Sequence, residues 1–245
     1  MTQLLSQLAL ALEWGMDAPP GIAAVAALDE PARRRLYDYV RAHPGPVGRD
    51  EASEALDMPR QTAAFHLDKL ADAGLLTVEY ARLGGRTGPG AGRPAKLYRR
   101  ADQAISVHLP DRSYELAGQL LSQAVEDAEA TGISPRASLN ARAGELGRAT
   151  GASVACRDNR DDRDDRDAAT MDALTQCGYE PRLDGADIVL VNCPFHALAQ
   201  KHTDLVCGMN LGLIEGLLDG AGCTGRRARL APHEPYCCVR IEPAP

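Results

Sequence analysis

Aromatic residues are scarce in this chain: two Phe, one Trp and seven Tyr, or 4% of 245 residues. Ala and Leu dominate instead, so helices should be common. Nothing approaches the roughly 18 uninterrupted apolar residues that a membrane-spanning helix needs. The opening MTQLLSQLALALEWG has no basic residue ahead of its apolar stretch, unlike a secretory leader. The expectation is a soluble cytoplasmic protein with no membrane association. Its seven cysteines are then read as reduced thiols or metal ligands rather than disulfides. P-loop, GxSxG and HExxH motifs are missing, and no acid–base pair stands out, so an enzyme is not expected.

The formal charge of −7 would by itself argue against a nucleic-acid partner, but the charge is unevenly spread. Residues 32–100 carry 13 Lys/Arg against 8 Asp/Glu, and 81–100 hold six basic residues and no acid. A locally basic segment on an acidic chain is the electrostatic footprint of a DNA-binding domain.

Residues 2–15 form an amphipathic helical pattern with Leu4, Leu5, Leu8, Ala11 and Leu12 on one face, and the prolines and glycine of 17–21 end it. Three short helical segments follow. Asp29 is placed to cap the first, with Pro31 in its first turn and Leu36, Tyr37 and Val40 facing inward. The second runs from about Arg49 to Leu56. The third spans Arg60–Ala73, its apolar side built from Ala63, Ala64, Leu67, Leu70 and Ala71, and Gly74 ends it. Leu75–Tyr80 and Ala95–Arg99 read as two strands joined by a Gly/Arg loop.

Three helices and a basic-tipped hairpin make a winged helix-turn-helix. Its third helix would present Arg60, Gln61, Thr62, His66 and Lys69 to the major groove, where Arg and Gln form bidentate contacts with base edges. Arg82, Arg86, Arg93 and Lys96 of the wing would neutralise phosphates or enter the minor groove.

Five of the seven cysteines fall within 189–242. Cys193 follows an apolar strand-like run, Cys207 sits near the start of a helical pattern, Cys223 lies in a Gly-rich loop, and Cys237 and Cys238 open a strand. Such elements can bring distant thiols around one centre. Thiolates hold iron–sulfur clusters, and zinc accepts four of them, so the spacing alone names no metal. Cys156 and Cys177 lie outside this set and read as structural.

The segments PRQTAAFHLDKLADAGLL and GRPAKLYRR resemble the winged-helix domain of ArsR-like bacterial regulators. NCPFHALAQKHTDLVCGMNLGLIEGLL and CCVRIEP resemble the C-terminal domain of the SufR family within that group. The resemblance implies a homodimeric repressor of operons for iron–sulfur cluster assembly, carrying a [4Fe-4S] cluster and binding a double-stranded DNA operator. A two-fold dimer would match a palindromic site. It also implies Cys193, Cys207 and Cys237 as cluster ligands. The fourth is Cys223, Cys238, a histidine such as His196 or His202, or no protein group. Alternation along a strand would point only one of Cys237 and Cys238 at the cluster. The alternative is a zinc- or thiol-based redox sensor on the same fold. A metalloenzyme ranks below both.

Tyr114–Glu129 is an amphipathic pattern read as a linker or dimer helix, and Ser134–Ala149 is a second helix capped by Ser134. DNRDDRDDRD at 158–167 reads as a solvated charged loop. A hairpin turning at Asp184-Gly185, a helix after Thr203 and two further strands follow. The expected fold class is α+β. It comprises an N-terminal helix over 1–22, a winged helix-turn-helix over 23–104, a linker or dimerisation helix over 105–133, and an α+β iron–sulfur sensor domain over 134–245.

Overall fold

The computed structural model describes residues 20–82, 94–154, 163–223, 225–232 and 235–244. The helix expected at 2–15, wing residues Arg86 and Arg93, Cys156 and the first part of the charged stretch lie outside them. The fold mixes helix and sheet in two compact units, Asp17–Val107 and His108–Pro245.

The first unit opens with α1 (Pro20–Ala27), which the sequence pattern does not mark because the prolines and glycine around it are those of a chain break. A proline is at home in a first helical turn, so Pro20 can start a helix. α2 (Pro31–Ala42) is capped by Glu30, whose carboxylate accepts the Arg33 N–H at 2.7 Å, and not by Asp29. α3 (Arg49–Ala55) and α4 (Arg60–Asp72) follow, and Gly74 leaves α4 at φ 73°, a left-handed conformation suited to glycine. β1 (Val47–Gly48), β2 (Leu76–Ala81) and β3 (Ala95–Arg100) form an antiparallel sheet in the order β1-β3-β2. The helices and sheet close over Leu36, Val40, Val47, Leu67, Leu70, Leu76 and Tyr98.

The second unit contains α5 (Tyr114–Thr131), α6 (Pro135–Val154), α7 (Arg163–Gln176), α8 (His196–Lys201) and α9 (Thr203–Gly220). Its sheet has the order β4-β5-β7-β6, built from β4 (Pro181–Asp184), β5 (Asp187–Leu190), β6 (Arg226–Leu230) and β7 (Val239–Pro243), all antiparallel. α9 is the spine of the unit. It buries Val206, Met209, Leu213, Ile214, Leu217 and Leu218 and packs against α6, β6 and β7.

The α6–α9 contact is backbone to backbone. Gly144, Gly147 and Gly151 of α6 face Gly212, Gly216 and Gly220 of α9. A Cβ on Gly147 would overlap the Leu213 carbonyl, and one on Gly216 the Gly144 carbonyl, so only glycine permits this approach.

Two expectations are corrected here. The helix expected as a linker or dimerisation helix, α5, is not a free linker: it buries Ala117, Leu120 and Ala124 in the core of this unit and packs on α6, because an apolar stripe of that length is most stable against the nearest helix. The charged stretch expected to be a solvated loop is helical from Arg163 onward. Asp167 at its end is 8% exposed and pairs with the buried Arg226 of β6, Nε to Oδ1 at 2.8 Å. A buried carboxylate persists only with such a partner.

Candidate functional site

In the first unit the candidate surface is the outer side of α4. Ala63, Leu67 and Leu70 are buried, while Arg60, Gln61, Phe65 and Lys69 are exposed and Thr62 is half-buried. Gln61, Phe65 and Lys69 stand four residues apart and therefore line one stripe of the helix.

Arg60 pairs with Asp50 of α3, Nη2 to Oδ2 at 3.2 Å. Both side chains are more than half exposed, so the pair is worth little and a phosphate can replace it. His66 departs from its expected exposure: its side chain is 14% exposed, and Nδ1 lies 3.7 Å from the Glu30 carboxylate at the head of α2. Residue 66 adjoins the buried line of 63, 67 and 70, which turns its ring toward the fold.

Lys96 also departs from expectation. It is bound to Asp68, which accepts the Tyr98 hydroxyl at 2.6 Å as well. Burial raises the Asp68 carboxyl, but these two donors outweigh it and hold it below its ordinary value. Burial and the same carboxylate push the Tyr98 hydroxyl up. Lys96 thus braces β3 against α4 rather than standing free for a phosphate. Arg82 is exposed just beyond β2. Two exposed aromatics were missed by the sequence reading, Phe65 at 56% and Tyr80 at 68%. The spacing of 65 from 61 and 69 carried the signal for the first.

In the second unit the candidate site is sulfur. Cys193 lies in the turn between β5 and α8, Cys207 in the second turn of α9, and Cys237 and Cys238 just ahead of β7. Because the last two precede the strand, strand alternation does not govern them, and both reach α9. Cys238 is disulfide-bonded to Cys207, with Cα atoms 6.2 Å apart. Cys237 accepts a hydrogen bond from Asn210 Nδ2 at 3.3 Å, and its backbone N–H donates to the Leu190 carbonyl at 2.8 Å. Two of the sulfurs expected to be reduced thiols or metal ligands thus lie within bonding reach of each other.

The Cys193 and Cys237 thiols share a hydrogen bond. That bond, helped by the Phe195 backbone N–H and the Arg112 charge, lowers Cys193, while the same bond and burial push Cys237 up. Arg112 binds the Asn192 side chain and lies 3.5 Å from the Cys193 carbonyl, anchoring this turn. Asn210 completes the surroundings, since its Oδ1 accepts the hydroxyl of the buried Tyr179 at 2.6 Å. Burial raises that hydroxyl well above its ordinary value.

The remaining candidates lie elsewhere. Cys223 follows the far end of α9, and the helix from Cys207 to Gly220 alone rises about 20 Å, so the two cannot share a centre. Cys223 is itself disulfide-bonded. His196 and His202 are exposed. Cys177 is buried and free, and burial pushes its thiol up to about 12.

Four converging sulfur donors, three of them buried and Cys238 half-buried, suit the chemistry of an iron–sulfur cluster or of zinc. They are paired two by two, and among the described residues no three His, Cys, Asp or Glu side chains are set to hold a metal ion. Reduction of the Cys207–Cys238 bond would leave four thiols at this place.

Residues 28–79, from the end of α1 through most of β2, match the family model described as Helix-turn-helix domain, of the ArsR-like kind. The match stops before β3 and includes none of the cysteines. Neither the curated proteins nor the solved structures contain a match to the chain. With α3 and α4 as its two helices, residues 28–79 of the first unit form a helix-turn-helix domain, which suggests a DNA-binding transcriptional regulator. Among the described residues no helix is long and apolar enough to cross a membrane.

Proposed function

We propose that this regulator is a repressor of iron–sulfur assembly genes whose affinity for its operator is set by the cysteine centre of its second unit. Cys193, Cys207 and Cys237, with Cys238 as the fourth, would hold a [4Fe-4S] cluster there. The observation that carries this reading is the convergence of those thiols from three separate elements. The likeness of the NCPFHALAQKHTDLVCGMN segment to the SufR family supports the choice of cluster and of target genes. A bound cluster supplies an iron- and oxidant-sensitive tie among the three elements.

The chain's own groups prepare the site. Asn210 offers an N–H to the Cys237 sulfur, the Arg112 charge offsets thiolate charge at Cys193, and Tyr179 and Phe195, both buried, keep water away. Loss of the tie would release the 193 turn and the segment before β7 from α9. Acting as a homodimer, the protein would read a palindromic operator whose half-site spacing the pairing of two chains sets.

The Cys207–Cys238 disulfide favours a second reading, a thiol sensor in which a dithiol reductant converts that bond to two thiols with two electrons and two protons. One set of measurements separates the two: iron, sulfide and zinc per chain, with a visible spectrum, on protein purified without oxygen. About four irons and four sulfides with broad visible absorption support the cluster. Zinc without sulfide points to a zinc sensor. Metal-free protein whose operator affinity follows dithiol reduction supports the thiol sensor.

A further inference from the structure

We infer that Phe65 reads the 5-methyl group of a thymine in the major groove, so that Gln61 and Phe65 together select A·T base pairs. The inference rests on the DNA-binding reading of the first unit and names a specificity residue within it. The chain has two phenylalanines. Phe195 is fully buried, whereas Phe65 is 56% exposed although it stands in the middle of a well-packed helix. Its ring meets the edge of His66, with centroids 5.3 Å apart, and otherwise turns away from the core formed by Ala63, Leu67 and Leu70. The fold therefore gains little from an aromatic at this position.

Position 65 lies in the second turn of α4, the helix that enters the groove, and on the stripe that begins with Gln61. The N-terminal part of such a helix contacts base edges. The two side chains are complementary in what they recognise. A glutamine forms a bidentate pair with adenine N6 and N7, and a phenylalanine makes apolar contact with the thymine methyl. One helical turn separates them, about 5–6 Å between Cβ atoms, which reaches one base pair or its neighbour. A second copy of this chain suits the surface less well. A stable interface covers about 800 Å² per partner, and one aromatic supplies about 150–250 Å² of that. The neighbours of Phe65 along this stripe are the polar Gln61 and the charged Lys69.

The test begins with selection of duplexes from a random-sequence library by the full wild-type chain. Affinity is then measured for the selected duplex and for copies carrying uracil in place of each thymine, which removes only the methyl. Wild type is expected to lose about fourfold per contacted methyl. Phe65→Ala is expected to bind the thymine duplex as weakly as wild type binds the uracil duplex, with no further loss to uracil and an unchanged salt slope, since no phosphate contact is touched. Phe65→Leu should keep part of the discrimination. The inference falls if uracil leaves wild-type affinity unchanged, or if Phe65→Ala still distinguishes thymine from uracil in full. It also falls if Phe65→Ala alters self-association in sedimentation while leaving DNA affinity intact. Wild-type protein that enriches no duplex would overturn the DNA-binding reading itself, a result distinct from these.

Discussion

Asp68 and Asn210 do comparable work in the two units, each a polar side chain between elements that must stay in register. Asp68 ties α4 to β3 through Lys96 and Tyr98. Its carboxyl is held below the ordinary value of 3.8, so its stabilising contribution is present above that pH and is lost as pH falls through the lowered value. Amide exchange in α4, followed by mass spectrometry on the full chain and taken relative to the intrinsic rate at each pH, should quicken as the pH drops below 3.8. In Asp68→Asn it should already be several-fold faster at neutral pH and change less on acidification; equal acid responses would refute the assignment.

Asn210 bridges the Tyr179 hydroxyl and the Cys237 sulfur. Asn210→Ala leaves a buried hydroxyl unsatisfied and should cost about 1–3 kcal/mol in denaturant unfolding. Replacing both partners, Asn210→Leu with Tyr179→Phe, should recover most of that, as a double-mutant cycle would reveal. Neither bridge was legible beforehand. An Asp or Asn inside a helical pattern looks like any solvated residue until a partner about thirty positions away is brought to it.

At the scale of elements, the helices α2, α3 and α4 could be read from periodicity and from their end residues, because their stripes are apolar and short connections keep them neighbours. The α6–α9 pairing could not be read that way. Its contact surface is glycine, which carries no hydropathy pattern, although the spacing of Gly212, Gly216 and Gly220 by four was a usable signal. Here two effects compete. Alanine in place of helical glycine gains about 1 kcal/mol of propensity, while overlap with a fixed carbonyl costs about 1–3 kcal/mol or more.

Gly216→Ala should therefore lower unfolding free energy by about 1–2 kcal/mol net. Gly118→Ala on α5, where nothing lies within 4 Å of the new Cβ, should raise it by about 0.5–1 kcal/mol. Denaturant midpoints of the two variants moving in the same direction would contradict the close-packed interface. β1 was missed for another reason: two residues are too few to show alternation, and only pairing with β3 makes them a strand.

For the whole molecule the question is whether the cysteine centre speaks to the DNA surface. If it does, Cys193→Ser, Cys207→Ser and Cys237→Ser should each weaken operator binding by about 5- to 150-fold at matched salt, the usual span of coupling between sites. Cys177→Ala, which removes a buried thiol outside the centre, should leave affinity unchanged. Undiminished binding in all three serine variants would separate the two units functionally. The acidic remainder of the chain, 14 Lys/Arg against 26 Asp/Glu outside residues 32–100, also bears on this scale. It confines DNA attraction to the first unit, and affinity should fall steeply as salt rises.

What the sequence determined by itself was the local part: most of the longer helices and strands, the helix-turn-helix and its basic segment, and the stretch in which the cysteines fall. Those follow from periodicity, end residues and charge, each set within a few residues along the chain. Only the tertiary structure decided which of those residues meet. It joined Cys207 to Cys238, left Cys223 at the opposite end of α9, drew His66 and Lys96 inward, and turned Phe65 out. Contacts of that kind depend on how helices and strands pack across long separations, and the one-dimensional pattern holds no record of the distance between two side chains on different elements.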